Sequence, residues 1–487
     1  MFIPLWIKYV GVEGYGVITF YSVLMSLMHF ADAGLSGTLT REFAREEPYV
    51  GYKRDFLKTF ETVYFWIAIF VFIVIFFFSG FIVDHFLKSD TIPHSDLVIC
   101  VKLMAVIMAF HFMSTLYEGG LIGLQRQILE GSLNIGYSIL RGVFVLIPLI
   151  FYPDVKVFIA WQLLSMIILF IVKRICLVRI INVKDEKTFF KLDYLKNVWS
   201  YAMGLFVMAI VAALNTQLDK LVTGNLLSLE SLGYYSIAGT LGTAVLTIAN
   251  ALCTAFYPEL TRLVSVGDRV QIIKPFLLFS FIVSLVTSVI GISVFFYCDD
   301  LLSIWTRDNS IVEHATIPAM LLVLGNIAVS LQYSTYYLAM ANGHTKTNVI
   351  LSSCALLFMA PSVYILTKLF GLNATPIPYL VVNLIATVLM AIILINKFLK
   401  GTLRQWFVDS FLPLIVSIII VAPSSFIFKR LCDNSFARIL FACIIGMICL
   451  YVTSVFYVRK HPESKSSKVV SRFLKYIPTK WTERNQS

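Results

Sequence analysis

TVYFWIAIFVFIVIFFFSGFIV, residues 62–83, is an apolar run of 22 residues without a single charge. A helix rises about 1.5 Å per residue, so a run of this length crosses the roughly 30 Å hydrocarbon core of a bilayer. The chain holds thirteen such runs, and together they predict an all-α polytopic membrane protein. They lie at residues 15–36, 62–83, 97–124, 133–152, 157–175, 198–217, 232–256, 276–297, 315–341, 349–369, 376–395, 411–428 and 437–457.

The overall composition agrees with a membrane protein. Hydrophobic residues make up 59% of the 487 residues and charged residues 14%, with a mean hydropathy of +0.84. Soluble domains are about 45–50% apolar and about 25% charged. The eight cysteines are widely spaced in or beside the apolar runs, which is typical of small packing residues and not of a disulfide framework.

Basic residues predict the orientation of the chain in the membrane. The segment Lys173–Asn197 and the tail Arg459–Ser487 together account for +10 of the formal net charge of +11. If the loops are taken alternately, about 28 of the 39 Lys and Arg residues lie on the side of the tail. Since positive loops stay in the cytoplasm, we expect a cytoplasmic C-terminus. Neither segment has the architecture of a nucleic-acid-binding element.

Short motifs recur at an offset of about 220 residues, which indicates two related halves. The recurring pairs are Gly14-Tyr15 with Gly233-Tyr234, Thr40-Arg41 with Thr261-Arg262, and Gly123-Leu124-Gln125-Arg126 with Gly343-His344-Thr345-Lys346. An even number of spans per repeat leaves both halves in the same orientation. We therefore expect two six-helix lobes related by a pseudo-two-fold axis along the membrane normal, with a cavity on that axis, and an extra C-terminal helix pair.

The repeat also sets the expected domain boundaries. Residues 1–175 form a first lobe, 176–197 a cytoplasmic linker, 198–396 a second lobe, 397–458 the extra helix pair and 459–487 a basic cytoplasmic tail. Gly14 aligns with Gly233, so the first lobe lacks a counterpart of the span 198–217. We expect the first helix to be truncated and the natural chain to begin about 25–30 residues upstream of Met1.

Several stretches resemble the polysaccharide-transporter family, specifically the Wzx-type O-antigen flippases, in the superfamily of MATE exporters and lipid II flippases. They are IKYVGVEGYGVITF, DAGLSGTLTREFAR, GLIGLQRQ, QLDKLVTGNLLSLESLGYYSIAG, YPELTRL and MANGHTKTN. The resemblance implies a flippase that carries a polyprenyl-diphosphate-linked oligosaccharide across the bacterial inner membrane by alternating access. It implies a lipid-linked glycan and membrane lipids as partners, with a polysaccharide polymerase and a chain-length regulator as protein partners, and no cofactor or nucleic acid.

Ionisable side chains inside the spans are the candidate substrate-binding groups, because burying a charge at membrane depth is costly. Arg141 lies about eight residues into its span, where its guanidinium could bind a diphosphate in bidentate fashion. The alternatives are an ion pair with an acid on a neighbouring helix, or snorkelling to the membrane surface. Lys102 is a second candidate, closer to the outer end of its span.

Other charged residues lie at the expected cytoplasmic ends of the spans. Arg41, Arg45 and Arg126 could attract the anionic lipid carrier, or could anchor the protein to the anionic leaflet. Asp32, which begins the DAGLS stretch, and Glu118 are candidates for a gate or a coupling site. The family resemblance implies that Asp32 marks a structural turn and gate, and a direct role in substrate binding is the alternative.

Enzyme and exporter functions are the alternatives to a flippase. The chain has no HExxH, Walker, CxxC or Gly-x-Ser-x-Gly motif, and its seven histidines lack metal-ligand spacing. We therefore expect neither an enzyme nor a metal site. A small-molecule exporter of the MATE kind remains open. A cationic drug would favour buried acids in the cavity, whereas a diphosphate cargo favours buried bases such as Arg141.

Overall fold

The computed structural model describes residues 2–44, 51–181, 213–267 and 269–460, and the regular elements in these residues are all helices. The helices of the N-terminal part are α1 (Ile3–Ala44), α2 (Tyr52–Phe77), α3 (Ser79–Phe86), α4 (His94–Gly123), α5 (Gln127–Gly142), α6 (Leu146–Phe151), α7 (Val155–Ile180) and α8, described over residues 213–226. The later helices are α9 (Leu229–Val266), α10 (Arg269–Phe296), α11 (Cys298–Thr306), α12 (Asn309–Ala341), α13 (Lys346–Phe370), α14 (Ile377–Phe398), α15 (Leu403–Leu431) and α16 (Ser435–Lys460).

Twelve segments among the described residues are long and apolar enough to cross a membrane. They coincide with twelve of the thirteen runs in the sequence, and the prediction of an all-helical polytopic membrane protein is confirmed. The thirteenth run, 198–217, lies mostly outside the described residues, as do Arg45, most of the 176–197 linker and the tail beyond residue 460.

The chain divides into two units. The first contains Met1–Ser236 together with Thr367–Leu372, and the second contains Ile237–Leu366 and Asn373–Ser487. The boundary between them falls inside α9. The expected repeat, its axis and the lobe boundaries drawn from the sequence stay predictions.

In the first unit α4 is the central helix, packing against α1, α2 and α7. Two glycines on α4 let its backbone approach α1 closely. A Cβ at Gly119 would lie 2.7 Å from the carbonyl oxygen of Ser36, and one at Gly123 would lie 2.7 Å from that of Thr40. Thr40 Oγ1 in turn donates to the carbonyl of Gly119 at 3.0 Å. Small residues spaced four apart commonly mediate such contacts between membrane helices.

The second unit is built around α10 and α12, which pack against α15 and α14 respectively. Its last two helices are tied to α11 by ion pairs. Arg438 Nη1 lies 3.1 Å from Asp300, whose side chain is 2% exposed, and Lys429 Nζ lies 2.6 Å from Asp299. The short connection between α15 and α16 is therefore fixed to α11 by charge as well as by packing.

Candidate functional site

Arg141 lies in the last turn of α5, inside the span Gln127–Phe151. By helical rise it is about 15 Å from Phe151, well within the thickness of the hydrocarbon core. Its side chain is exposed, and the guanidinium stacks over the ring of Tyr137 at 5.3 Å from the centroid. This distance is within the range of a cation–π interaction.

The helix breaks after Gly142, the residue that follows Arg141. Phe144 N donates to Ile139 O, and the next bonds along the chain run from Leu146 N to Val143 O and from Ile147 N to Phe144 O. The hydrogen-bond ladder thus changes register between α5 and α6. Three consecutive carbonyl groups, those of residues 140–142, lie at the point of change.

Each of these carbonyl groups accepts a hydrogen bond from a side chain. Trp161 Nε1 donates to Leu140 O at 2.9 Å, Gln162 Nε2 to Arg141 O at 3.0 Å, and Trp6 Nε1 to Gly142 O at 3.2 Å. Backbone groups inside a membrane have no water to bond with, so a broken helix needs such partners. The caps from α1 and α7 hold the end of α5, and with it the backbone of Arg141, in place.

The other basic residues singled out from the sequence do not gather around Arg141 in the contacts seen here. Lys102 is half-buried on α4, with its ammonium 5.1 Å from the centroid of the Phe76 ring. Arg126 is exposed at the N-cap of α5, and Arg41 is exposed in the last turn of α1. Arg126 is thus at the opposite end of α5 from Arg141, and Arg45 lies outside the described residues.

Asp32 is a buried carboxylate, 2% exposed, in α1. Its Oδ1 accepts a hydrogen bond of 2.6 Å from the hydroxyl of Tyr64 on α2, a side chain that is itself fully buried. The residue therefore links two helices within the first unit. The helix continues through Asp32 without a turn, and its roles as a gate or a coupling site stay predictions.

Glu118, whose side chain is 31% exposed, belongs to a polar cluster around the buried Lys173 that joins α4, α5 and α7. It is here called the Lys173 cluster (Lys173, Glu118, Glu130 and Asn134). Lys173 Nζ lies 2.7 Å from Glu130 Oε1 and 3.0 Å from Glu118 Oε2. Asn134 Nδ2 donates to Glu130 Oε1 at 2.8 Å. The two carboxylates compensate the buried ammonium, so removing either kind of partner would leave a charge uncompensated where three helices pack.

Lys173 was not recognisable as a buried residue from the sequence. Lys173 lies at the end of an apolar run, and from composition it belongs to the basic linker. In the structure α7 continues past it to Ile180. Its side chain is only 2% exposed. Because its partners come from α4 and α5, no local pattern around Lys173 shows the pairing.

Residues 1–264 match the model of the family described as polysaccharide biosynthesis protein. Among curated proteins, the chain is similar to a putative O-antigen transporter of Shigella flexneri. The two are 22% identical over 372 residues, which cover 76% of this chain and 87% of the relative. The family resemblance read from the sequence is confirmed.

Two solved structures share the fold. One is the lipid II flippase MurJ in an inward closed conformation, with a TM-score of 0.70 and 16% identity, covering 94% of this chain and 96% of the flippase. The other is an inward-facing multidrug resistance transporter of the MATE family in the MOP superfamily, with a TM-score of 0.64 and 14% identity, covering 83% of this chain and 94% of the transporter.

Proposed function

The chain belongs to the polysaccharide biosynthesis protein family, and we propose that it is a flippase for a polyprenyl-diphosphate-linked oligosaccharide such as an O-antigen repeat unit. The cargo moves from the inner to the outer leaflet of the bacterial inner membrane by alternating access. The observation that carries the proposal is the match to a putative O-antigen transporter over most of both chains. The fold shared with a lipid II flippase supports it.

The chemistry of the cargo assigns a role to Arg141. The diphosphate carries negative charge that must enter a region of low dielectric, where an isolated anion is unstable. An exposed guanidinium held at membrane depth can donate two parallel hydrogen bonds to phosphate oxygens. The capped end of α5 fixes the backbone of Arg141, so the side chain presents its donors without reorganising the helix.

Orientation and assembly follow from the same proposal. The C-terminus lies in the cytoplasm, so that the ends of α1 and α4 and the start of α5 face the leaflet in which the lipid-linked substrate is made. Arg41, Arg45 and Arg126 are then on the side where the anionic carrier arrives, together with anionic membrane lipids. A polymerase and a chain-length regulator act on the glycan after it reaches the outer leaflet.

Restoration of surface polysaccharide tests the proposal. The gene should restore O-antigen display in a strain whose own flippase has been deleted, when the strain makes the matching repeat unit. The alternative is a small-molecule exporter of the MATE kind. An exporter would leave display absent and would raise the resistance of a drug-sensitive strain to cationic dyes, so the two readouts in parallel separate the functions.

A further inference from the structure

A pocket of about 280 Å³ lies among α2, α4 and α7, at the end of the first unit where α4 and α7 finish. We call it the Arg174 pocket. Its lining combines charged groups with an apolar rim, and none of the residues proposed to bind the cargo takes part. The lining residues are Lys58, Glu61, Thr62, Phe65, Met113, Tyr117, Phe170 and Arg174.

The charged groups of the Arg174 pocket are arranged at two depths. The Glu61 side chain is 15% exposed, and its Oε1 accepts a hydrogen bond of 2.8 Å from the Tyr117 hydroxyl. Arg174 Nε lies 3.4 Å from the same oxygen, but the Arg174 side chain is 54% exposed. The Glu61 carboxylate thus contacts the guanidinium on its Nε side, from the buried part of the pocket. The guanidinium of Arg174 also interacts with the Tyr117 hydroxyl, while more than half of the Arg174 side chain stays accessible. Lys58 is exposed one turn before Glu61.

The pocket lies at the level of lipid head groups. α7 has 26 residues and is about 39 Å long, so it extends about 4–5 Å beyond each side of a 30 Å hydrocarbon core. Arg174 is six residues from the end of α7, or about 9 Å along its axis. Its backbone therefore lies only about 4–5 Å below the hydrocarbon surface, a depth from which an arginine reaches the head groups.

The rim of the pocket continues into an apolar surface. Phe65 lines the pocket and is exposed, and Trp66 and Phe70 extend the exposed face of α2 toward the centre of the span. This combination of a basic mouth at the interface with an aromatic strip below it matches an amphiphile that has an anionic head group and apolar tails. We infer that the Arg174 pocket binds an anionic glycerophospholipid with its phosphate on Arg174 and Lys58.

Charge balance selects this occupant over the diphosphate-linked cargo. Arg174, Lys58 and Glu61 together carry one net positive charge, which one phosphodiester neutralises. A diphosphate diester carries two negative charges and would leave one uncompensated beside the Glu61 carboxylate, where like charges repel. Glu61 also accepts hydrogen bonds, and the hydroxyl groups of a glycerol head group can donate them. Phosphatidylglycerol has both features.

Native mass spectrometry of the purified full chain tests the inference. The protein is titrated with phosphatidylglycerol, phosphatidylethanolamine or a polyprenyl-diphosphate-linked sugar, which is a diphosphate diester, in mixed detergent micelles. We expect phosphatidylglycerol to bind best, and Arg174→Gln to lower its apparent affinity about tenfold. The matched control is Arg179→Gln, which removes an exposed arginine from the same helix and should leave binding unchanged. Glu61→Gln removes the carboxylate that repels a second negative charge. In this variant the affinity for the diphosphate lipid should therefore rise relative to that for phosphatidylglycerol.

Three outcomes would overturn the inference. The first is an equal loss of affinity for phosphatidylglycerol in the Arg174→Gln and Arg179→Gln variants. The second is an unchanged affinity in Arg174→Gln, and the third is a preference of the unmodified protein for the diphosphate lipid. Circular dichroism and the Tm of each variant show that it remains folded. The measurement does not involve transport, so a failed display experiment leaves it intact, and its own failure leaves the flippase proposal intact.

Discussion

Lys173 and Glu130 form an ion pair of 2.7 Å, and both side chains are almost completely shielded, at 2% and 5% exposure. The pair joins α7 to α5, and Glu118 on α4 completes it at 3.0 Å. A pair buried this deeply can be replaced without great loss only if all the charges are removed together. Removing one partner leaves the others uncompensated.

The Lys173 cluster should therefore respond asymmetrically to substitution. Lys173→Met leaves two carboxylates without their cation and should destabilise the protein by about 3–5 kcal/mol. The Lys173→Met, Glu118→Gln, Glu130→Gln variant removes every charge of the cluster and should recover much of that loss. Thermal unfolding in detergent measures both. Arg179→Met, at an exposed position of α7, is the control and should change the Tm little. If the triple variant loses as much stability as the three single variants added together, the account is contradicted.

Arg141 should be needed for transport rather than for folding. Arg141→Ala should abolish O-antigen display, and Arg141→Lys should restore it only in part, because an ammonium cannot make the bidentate contact. Arg430 offers a matched control, since it also stacks on an aromatic ring four residues earlier, at 4.3 Å from Phe426. Arg430→Ala should preserve display. Normal display in Arg141→Ala, at equal protein abundance, would remove Arg141 from the substrate path.

The side-chain caps at the end of α5 should contribute to stability. Trp161→Phe and Gln162→Leu each leave a carbonyl group of the broken helix without its partner, at a cost of about 1–3 kcal/mol. Trp66→Phe is the control for the indole change, because Trp66 is 64% exposed on α2. Thermal unfolding should rank both cap variants below Trp66→Phe. If all three variants unfold at the same temperature, the caps do not stabilise the break.

The orientation can be tested at Cys432, which follows α15 in the short connection to α16. A cytoplasmic C-terminus places this connection on the outer side. In a variant that keeps only Cys432, a membrane-impermeant maleimide should label intact spheroplasts. A variant whose only cysteine comes from Ser487→Cys should be labelled only after the membrane is opened. The reverse pattern would invert the proposed topology.

The sequence predicts the helices well because each helix depends on the residues of its own segment. An apolar run long enough to cross the bilayer must be helical, since no other open structure satisfies its backbone there. The twelve spans of the described residues were therefore readable from hydropathy alone, although their boundaries differ from the sequence prediction by up to about a dozen residues, most at α1, α2 and α9.

The candidate site is less predictable because its contacts are not local. Lys173 lies 43 residues after Glu130 and 55 after Glu118, so neither partner appears in its neighbourhood. The depth of Arg141 was readable by counting along its span, but the helix break beside it was not. Its caps come from Trp6 and from α7, and the only local sign is Gly142 directly after Arg141.

The contact of Gly119 and Gly123 with α1 has a mechanical consequence. A Cβ at either glycine would lie 2.7 Å from a carbonyl oxygen of α1, so the backbones of α1 and α4 are in direct contact at these two positions. Sliding one past the other would drive backbone into backbone, so this pair resists shear. In the transport cycle that we propose, residues 36–40 of α1 are then expected to move together with the end of α4, and the change of shape has to come from other helix contacts.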